Sequence, residues 1–178
     1  GADETPFTKL ELLEDTEKIK VLYCGNFGNM HESKTLFDAW RLGIDDSFHF
    51  LFHCSGPKRQ DLELFYNKHE AKLEDHLQIG GGLSNEAWIK VMQSSQIALV
   101  TMSEGSHEVV MPSKTYSAMM AGQAILAVAP EDSDLVDLIK AANCGWWVVP
   151  GDVEGFQECL LVIQSDKDLL LEKRQNAF

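Results

Sequence analysis

Short apolar runs alternate with longer amphipathic stretches along almost the whole chain. Six of the runs are too short for helices and end at glycine, proline or polar residues, which is typical of buried strands. Several lack alternating polar positions, so we expect both of their faces to be covered. The predicted strands are residues 19–24, 48–54, 77–79, 97–102, 124–129 and 146–149.

The stretches between these runs carry apolar residues at helical spacing. Pro57 can open one helix because its missing N–H would be unpaired there, and Ser84 is a favoured N-cap for another. Gly122 is expected to close a third. The predicted helices cover residues 31–42, 57–72, a segment after Ser84 that includes Trp88 and Met92, and residues 112–121, 134–142, 153–164 and 167–177.

This order of elements predicts an α/β fold. Strands separated by helices indicate a parallel sheet, and right-handed crossovers make it a doubly wound, Rossmann-like sheet of about six strands with helices on both faces. The 178 residues suffice for one domain with its own core. We expect a polar segment at residues 1–17 and the domain at residues 18–178.

Charge and composition restrict the function. The formal net charge of −13 argues against nucleic acid and anionic lipid as partners, because both attract basic surfaces. No apolar run approaches the roughly 18 residues that a membrane span needs. The four cysteines form no CxxC motif, which favours a reducing, cytoplasmic setting.

Three predicted strand-to-helix loops, residues 25–29, 80–84 and 104–114, are rich in glycine or hydrogen-bond donors. Parallel strands bring these loops to one edge of the sheet, where open α/β sheets bind ligands. Gly25 and Gly28 allow close approach of backbone but lack the third glycine of a dinucleotide fingerprint. Three consecutive glycines at 80–82 would suit a flat base resting on exposed backbone. Plain turns are the alternative for both loops.

The third loop leads into a predicted helix that begins at Pro112, Ser113 and Lys114. Free N–H groups and the helix dipole favour an anion at such a position, and Lys114 adds a positive charge. The alternative is that Ser113 only caps the helix and that Lys114 is solvated. Among the histidines, His53 lies on a predicted strand and is interpreted as a core residue.

Residues 112–127 resemble a segment of the group 1 (family 4) retaining glycosyltransferases, particularly those that build surface polysaccharides. The chain has Pro-Ser-Lys-Thr-Tyr-Ser-Ala-Met-Met-Ala-Gly-Gln-Ala-Ile-Leu-Ala where the family has "PSK-x-Y-(E/S)-x-(M/L)-A-A-G-x-P-(I/V)". Residues 97–100 and 145–152 are similar to a strand and a "G-x-x-v-x-p-g-d" segment of the same family. Residues 23–28 resemble its "y-x-G-N-x-G" opening, and residues 1–7 resemble its interdomain linker.

The resemblance implies one half of a GT-B enzyme, in which two Rossmann-like domains face each other across a cleft. The C-terminal half, to which this chain corresponds, binds the nucleotide-sugar donor, and an N-terminal domain of the same enzyme binds the acceptor. Residues 1–17 would then be the interdomain linker, and the chain alone would be inactive. No metal or other cofactor is expected, since helix N-termini can neutralise the departing diphosphate.

Site residues follow from the same resemblance. Glu104 corresponds to the acidic residue that meets the donor sugar, with Glu108 as a rival because this loop is longer, and Ser117 replaces a glutamate that holds the ribose. Glu104 and Lys114 are the expected catalytic residues, and Lys34 and Arg59 are reserve cations for the diphosphate. The expected donor-binding residues are Gly25, Asn26, Gly28, Lys58, Gly81, Gly82, Leu83, Gly105, Ser106, His107, Glu108, Pro112, Ser113 and Ser117.

Two alternatives remain open at this point. A sugar-nucleotide epimerase shares the GT-B fold and would bind a similar donor with different acid and base residues. A non-catalytic module that binds nucleotides or proteins would show no selectivity for the sugar. The resemblance leaves the base, the sugar and the acceptor open, and it is compatible with a full-length enzyme attached peripherally to the inner membrane face.

Overall fold

A six-stranded parallel sheet forms the centre of the domain in the computed structural model, which describes residues 6–12, 18–105 and 114–178. The strands are β1 (Ile19–Asn26), β2 (Phe48–Ser55), β3 (Leu77–Gly80), β4 (Ile97–Thr101), β5 (Ala124–Val128) and β6 (Gly145–Val148). Their order is β3-β2-β1-β4-β5-β6, and every neighbouring pair is parallel. This confirms the predicted Rossmann-like sheet and places its switch point between β1 and β4.

Helices cover both faces of the sheet. They are α1 (Lys34–Arg41), α2 (Pro57–Lys68), α3 (Glu70–Leu73), α4 (Asn85–Ser94), α5 (Lys114–Met120), α6 (Asp134–Ala142), α7 (Val153–Ser165) and α8 (Lys167–Ala177). One core cluster joins the sheet to α1, α2, α3 and α7, and a second joins it to α4, α5 and α6. Within the described residues, no helix is long and apolar enough to cross a bilayer.

Alternation along β1 explains how one strand serves both cores. Ile19, Val21 and Tyr23 belong to the first cluster, while Leu22 and Cys24 belong to the second. Successive side chains of a strand point to opposite faces, so a strand that is apolar at every position is buried on both sides. All five residues of β4 and of β5 are buried, as expected for the centre of a doubly wound sheet.

Several predicted boundaries are shifted by a few residues, as at α1, which begins at Lys34 and not at residue 31. Two of the differences have a clear structural cause. Gly25 and Asn26 are the last residues of β1 and not part of the loop, because they pair with Cys54 and Ser55 of β2. The single helix predicted over residues 57–72 is broken at His69. There φ is −120°, and the backbone N–H donates back to the carbonyl oxygens of the last turn of α2.

The N-terminal segment, residues 6–12, packs on the domain. The Phe7 ring is buried and lies 5.6 Å from the Trp88 ring of α4, measured between ring centroids. Arg174 of α8 is only 2% exposed, and its guanidinium donates to the carbonyl oxygens of Gly122 at 2.8 Å and of Glu11 at 2.6 Å. A buried guanidinium thus joins this segment to the turn before β5. Residues 1–5 and 13–17 of the predicted linker lie outside the described residues.

Candidate functional site

A cleft of about 430 Å³ opens at the carboxyl ends of β1, β2 and β3. It lies at the edge of the sheet where ligands bind in this class of fold. Its floor is the end of β1 and β2, and its wall is the start of α4. The cleft is lined by Cys24, Gly25, Asn26, His53, Cys54, Ser55, Gly81, Gly82, Leu83, Asn85 and Trp88. Five of the predicted donor-binding residues therefore lie together: Gly25, Asn26, Gly81, Gly82 and Leu83.

The glycines after β3 have different roles. A Cβ at Gly80 would lie 2.7 Å from the His53 ring, so packing requires glycine there. A Cβ at Gly82 would meet no atom within 4 Å, and the backbone there is not left-handed. Nothing in the described residues requires glycine at 82, and the space that its missing side chain leaves belongs to the cleft.

Arg59 of α2 fixes the loop after β3. One guanidinium nitrogen donates to the Cys54 carbonyl at 2.8 Å and to the Gly80 carbonyl at 2.9 Å, while Nε donates to Glu63 at 2.8 Å. The side chain thereby cross-links the carboxyl ends of β2 and β3. The sequence suggested Arg59 only as a reserve cation for phosphate, and in the structure its donors are used for architecture.

The loop after β1 is held by packing around Asn26. Phe27 is fully buried, and its backbone N–H donates to the Ser55 carbonyl at 2.7 Å. A Cβ at Gly28 would lie 2.7 Å from the Asn26 side-chain nitrogen, and Gly56, with φ of +97°, leaves room for the Asn26 oxygen. Gly28 is therefore required by local packing, and it does not line the described cleft.

Lys58 lies beside this loop. Its ammonium donates to the His31 carbonyl, and its backbone N–H donates to the Phe27 carbonyl at 2.9 Å. The His31 Nδ1 is 2.9 Å from the Thr101 carbonyl at the end of β4. These contacts tie together the loops on the two sides of the switch point. Lys58 is not among the residues that line the described cleft, and the other reserve cation, Lys34, pairs with Asp38 at 3.0 Å on the surface.

Lys114 and Ser117 of α5 line a second, smaller cavity of about 70 Å³, which shares Cys24 and Trp88 with the cleft. The Lys114 ammonium lies 3.7 Å from the centroid of the Tyr23 ring, in a cation–π contact. Its Nζ is buried and has no hydrogen-bond acceptor among the described residues. Burial lowers the pKa of Lys114 to about 7. The site therefore holds an ammonium that an anion would find desolvated and unpaired.

The described titratable neighbours of Lys114 carry no compensating negative charge. Burial raises the pKa of the Cys24 and Cys54 thiols, so both are protonated near neutral pH. Burial also raises the pKa of the Tyr23 phenol above its usual range. Burial, together with the nearby Lys114 cation, lowers the pKa of His31, which is therefore neutral. As far as the described residues go, the surroundings of Lys114 are suited to an anion and not to a cation.

The loop after β4 is described only at its start. Glu104 and Gly105 form an exposed turn, in which Gly105 has φ of +80°, and neither residue lines the two cavities. The predicted site residues Ser106, His107, Glu108, Pro112 and Ser113 lie outside the described residues. The choice between Glu104 and Glu108 therefore stays open, and both roles remain predictions.

A comparison with known protein families shows to which family the chain belongs. The model of the family "Glycosyl transferases group 1" matches residues 5–178. The chain belongs to this family. The predicted family resemblance is thereby confirmed for group 1, and the domain is a glycosyltransferase domain.

Individual relatives agree with this assignment. The chain is 28% identical over 153 residues to the probable glycosyltransferase WbjE of Pseudomonas aeruginosa, covering 84% of this chain and 36% of that protein. A TarM mutant from S. aureus, in complex with fondaparinux, α-GlcNAc-glycerol and UDP, has a similar fold, with a TM-score of 0.73 at 14% identity, covering 96% of this chain and 34% of TarM. The chain thus spans about a third of the length of these relatives.

A third relative is itself a single domain. The C-terminal domain of the group 1 glycosyltransferase LpcC from Francisella tularensis has a TM-score of 0.70 at 15% identity, and the alignment covers 90% of this chain and 83% of that domain. At this level of identity the likeness concerns the fold alone. This glycosyltransferase domain therefore shares its architecture with a C-terminal domain over most of the length of both.

Sequence reasoning missed several residues of the cleft. His53, interpreted as a core residue, is half-buried and lines the cleft, with its Nδ1 3.3 Å from the Gly81 carbonyl. Trp88 and Asn85 lie in the first turn of α4, which Ser84 caps through a 3.2 Å hydrogen bond from the Ala87 N–H. The predicted cap was the available signal, because a helix that begins at a glycine loop projects its first side chains toward the ligand edge.

Two pairs of aspartates lie at the starts of helices. The runs Asp132-Ser133-Asp134 and Asp166-Lys167-Asp168 lie at the starts of α6 and α8, where the side chains of Ser133 and Asp166 accept backbone N–H bonds. Within residues 6–12, 18–105 and 114–178, no group of three or more histidine, cysteine or acidic side chains is arranged to hold a metal ion. The expectation that no metal is needed remains a prediction.

Proposed function

We propose that this domain binds the nucleotide-sugar donor of a retaining glycosyltransferase. The observation that carries the proposal is the juxtaposition of a glycine-lined cleft with the buried, unpaired ammonium of Lys114 at the switch point of the sheet. A nucleoside diphosphate has a flat base and two negative phosphates. The site offers open backbone on which the base can rest and a desolvated cation that can bind the phosphates. Membership in the group 1 glycosyltransferases and the UDP present in the TarM structure support this assignment.

The base and ribose would lie along the loop after β3. Gly81 and Gly82 present backbone without side chains, and the Trp88 ring forms the adjoining wall. Aromatic rings stack on nucleobases, so Trp88 offers a second surface to the base. Ser117 lines the neighbouring cavity and is proposed to donate to a ribose hydroxyl.

The diphosphate would lie over the end of β1, beside Gly25 and Lys114. Gly25 has φ of +133°, and the position of its absent Cβ is 3.8 Å from Lys114 Cδ. Departure of the diphosphate from the anomeric carbon develops negative charge, which a preorganised cation stabilises in a water-poor site. We propose that Lys114 supplies this charge without a divalent metal, and that Glu104 or Glu108 contacts the donor sugar.

The remainder of the active site is proposed to come from another domain of the full-length protein. The chain spans about a third of WbjE and TarM, while it covers most of the LpcC C-terminal domain. We propose that an N-terminal domain binds the acceptor and that this chain alone transfers no sugar. The resemblance of residues 112–127 to enzymes that build surface polysaccharides supports a glycan acceptor. The four free cysteines support a reducing, cytoplasmic compartment.

The experiment that tests the proposal is calorimetric titration of the chain with nucleoside diphosphates and nucleotide sugars, with and without EDTA. We expect one base to be preferred and EDTA to have no effect. Lys114→Met should weaken the preferred diphosphate by about tenfold to a hundredfold, as expected for loss of a charge-assisted contact in a desolvated site. Lys90→Met is the matched control, since Lys90 on α4 is 78% exposed and forms only a 3.9 Å pair with Glu86.

Each outcome has a definite meaning. Selective binding that Lys114→Met weakens and Lys90→Met does not would support the donor site. Equal loss in both variants would mean that binding depends on net charge and not on the cleft. Binding without selectivity for base or sugar would instead favour a non-catalytic nucleotide-binding module.

A further inference from the structure

Among the described side chains, Tyr23 is the one that makes a cation–π contact with the Lys114 ammonium. The ammonium lies over the ring face at 3.7 Å from the centroid, and its Nζ has no acceptor in the parts of the chain that the structure describes. The face of an aromatic ring carries partial negative charge, and its attraction for a cation is greatest where water is excluded. The ring therefore takes the place of a counter-ion.

The Tyr23 ring is itself held rigidly. It is fully buried and stacks on Phe52, with centroids 5.1 Å apart and planes inclined by 8°. Phe27 packs against it at 4.9 Å, and the phenol donates to the Asn26 carbonyl at 2.7 Å. A ring fixed by three contacts defines one position for the cation that lies on its face. That position is at the end of β1, beside Gly25.

No other described group near Lys114 offers negative charge to its ammonium. Among the described residues, the titratable groups near Lys114 are Tyr23 and Cys24 from β1, His31 from the loop after β1, and Cys54 from β2. Burial keeps all four neutral near pH 7, and Lys58, beyond His31, is a second cation. The described residues of α4, α5 and β4 that line the cavity contribute no further titratable group.

We propose that Tyr23 is a positioning residue, whose ring holds the Lys114 ammonium in place for the diphosphate of the donor. For its effect on ligand binding this inference rests on the proposed function, while its effect on the lysine does not. A carboxylate at the same place would neutralise the lysine and compete with the phosphates. A ring stabilises the charge and leaves its hydrogen-bond donors free.

The test measures the ammonium directly. In the full 178-residue chain labelled at the lysine side chains, the Lys114 resonance is identified by its loss in Lys114→Met, and its pKa is followed by NMR. Tyr23→Leu removes the ring, and we expect the pKa of Lys114 to fall further, by about one unit. Tyr23→Phe restores the ring and should return the pKa to that of the original chain. Tyr66→Leu, at a tyrosine on α2 outside both cavities, is the matched control.

A second series keeps the shape of the ring, in case Tyr23→Leu does not fold. Phenylalanines with an increasing number of fluorine atoms are introduced at position 23. Fluorine withdraws electron density from the ring face and changes the size of the ring little. The pKa of Lys114 should fall with each step, and UDP affinity at pH 6.5 should fall in parallel, by about tenfold over the series. A Lys114 pKa that does not change across the series would overturn the proposal.

The two claims fail in different ways. If the pKa of Lys114 follows the ring but UDP does not bind to the original chain, the donor function fails and the Tyr23–Lys114 contact stands. If UDP binds equally well to Tyr23→Leu and to the original chain, the positioning role is wrong and the donor site stands.

Discussion

The loops after β1 and after β3 both contain glycines, yet for different reasons. Gly28 in the loop after β1 and Gly56 in the adjacent turn after β2 serve the packing of the protein itself, because a side chain at either position would collide with Asn26. After β3, Gly82 has ordinary backbone geometry and faces open space. Glycine is therefore architectural at positions 28 and 56, and we propose that it serves the ligand at position 82. A loop that is rich in glycine is therefore not necessarily a binding loop. A glycine that neither packing nor backbone geometry requires is the better indicator of one.

The largest expected loss of stability comes from a substitution in the turn after β2, which packs around Asn26. Gly56→Ala introduces a Cβ that would contact the Asn26 oxygen and lie 2.8 Å from the Phe27 carbonyl, at a residue with φ of +97°. Steric conflict with backbone and a strained φ together should lower the free energy of unfolding by about 3 kcal/mol. Urea denaturation measures this loss. A variant as stable as the original chain would show that the Asn26 packing is not constraining.

Replacement of Lys114 should instead raise the free energy of unfolding. Its pKa is lowered from 10.5 to about 7, so between these values the unfolded chain binds more protons and the stability of the fold rises with pH. Below pH 7 the buried charge costs stability. Lys114→Met should therefore raise the free energy of unfolding at pH 6 by on the order of 2 kcal/mol, while weakening diphosphate binding. Denaturation at pH 6 and pH 9 measures how the difference between the variant and the original chain shrinks as pH rises. A variant that is destabilised at pH 6 would contradict the buried charge.

The same lysine predicts how binding depends on pH. An anion binds the protonated ammonium, so affinity for UDP should be constant below about pH 7 and then fall, by up to about tenfold per pH unit. Burial and the Lys114 cation lower the pKa of His31, so this histidine is neutral above pH 7, where the affinity is expected to fall. Titration at several pH values between 6 and 8.5 measures the profile. Above pH 7, where the terminal phosphate of UDP is already largely ionised, the profile should be flat in Lys114→Met. A slope that survives there in that variant would assign the titration to another group.

The smallest effect on stability is expected at the ligand-facing glycine. Gly82→Val fills open space and should change the free energy of unfolding by less than about 0.5 kcal/mol, while UDP affinity falls about tenfold because the side chain occupies the cleft. Gly28→Ala should do the reverse and cost about 1 kcal/mol of stability, because only the end of the Asn26 side chain must move. The free energy of unfolding and the UDP affinity are measured for both variants. Equal losses of affinity would contradict the different roles of Gly28 and Gly82.

Much of the fold could be predicted from the sequence because local signals agreed with the global pattern. Helices α6 and α8 have the predicted bounds, and each begins at a side-chain cap, Ser133 or Asp166. The break at His69 was missed because the apolar pattern continues through it to Leu73. The end of β1 was missed because Gly25 resembles the start of a turn, while its strand partners lie 29 residues further along.

The candidate site was predictable only in part. Glycines and the Lys114 position follow from short-range patterns, and five predicted residues line one cleft. Arg59, His53 and Tyr23 take their roles from strands that meet only in the folded sheet, so no spacing along the chain indicated them. The prediction of Lys58 as a phosphate ligand remains a prediction, and the structure shows its ammonium bound to a backbone carbonyl.

The most direct test of the central claim is a titration of the ¹⁵N-labelled chain with UDP, followed by backbone amide shifts at pH 6.5. We predict saturable shifts at Gly25, Gly81, Gly82 and Lys114, and no shifts at Gly43 and Gly151, which lie outside the cleft. Saturable shifts confined to residues away from the cleft, or the same cleft shifts in Lys114→Met at undiminished affinity, would contradict it.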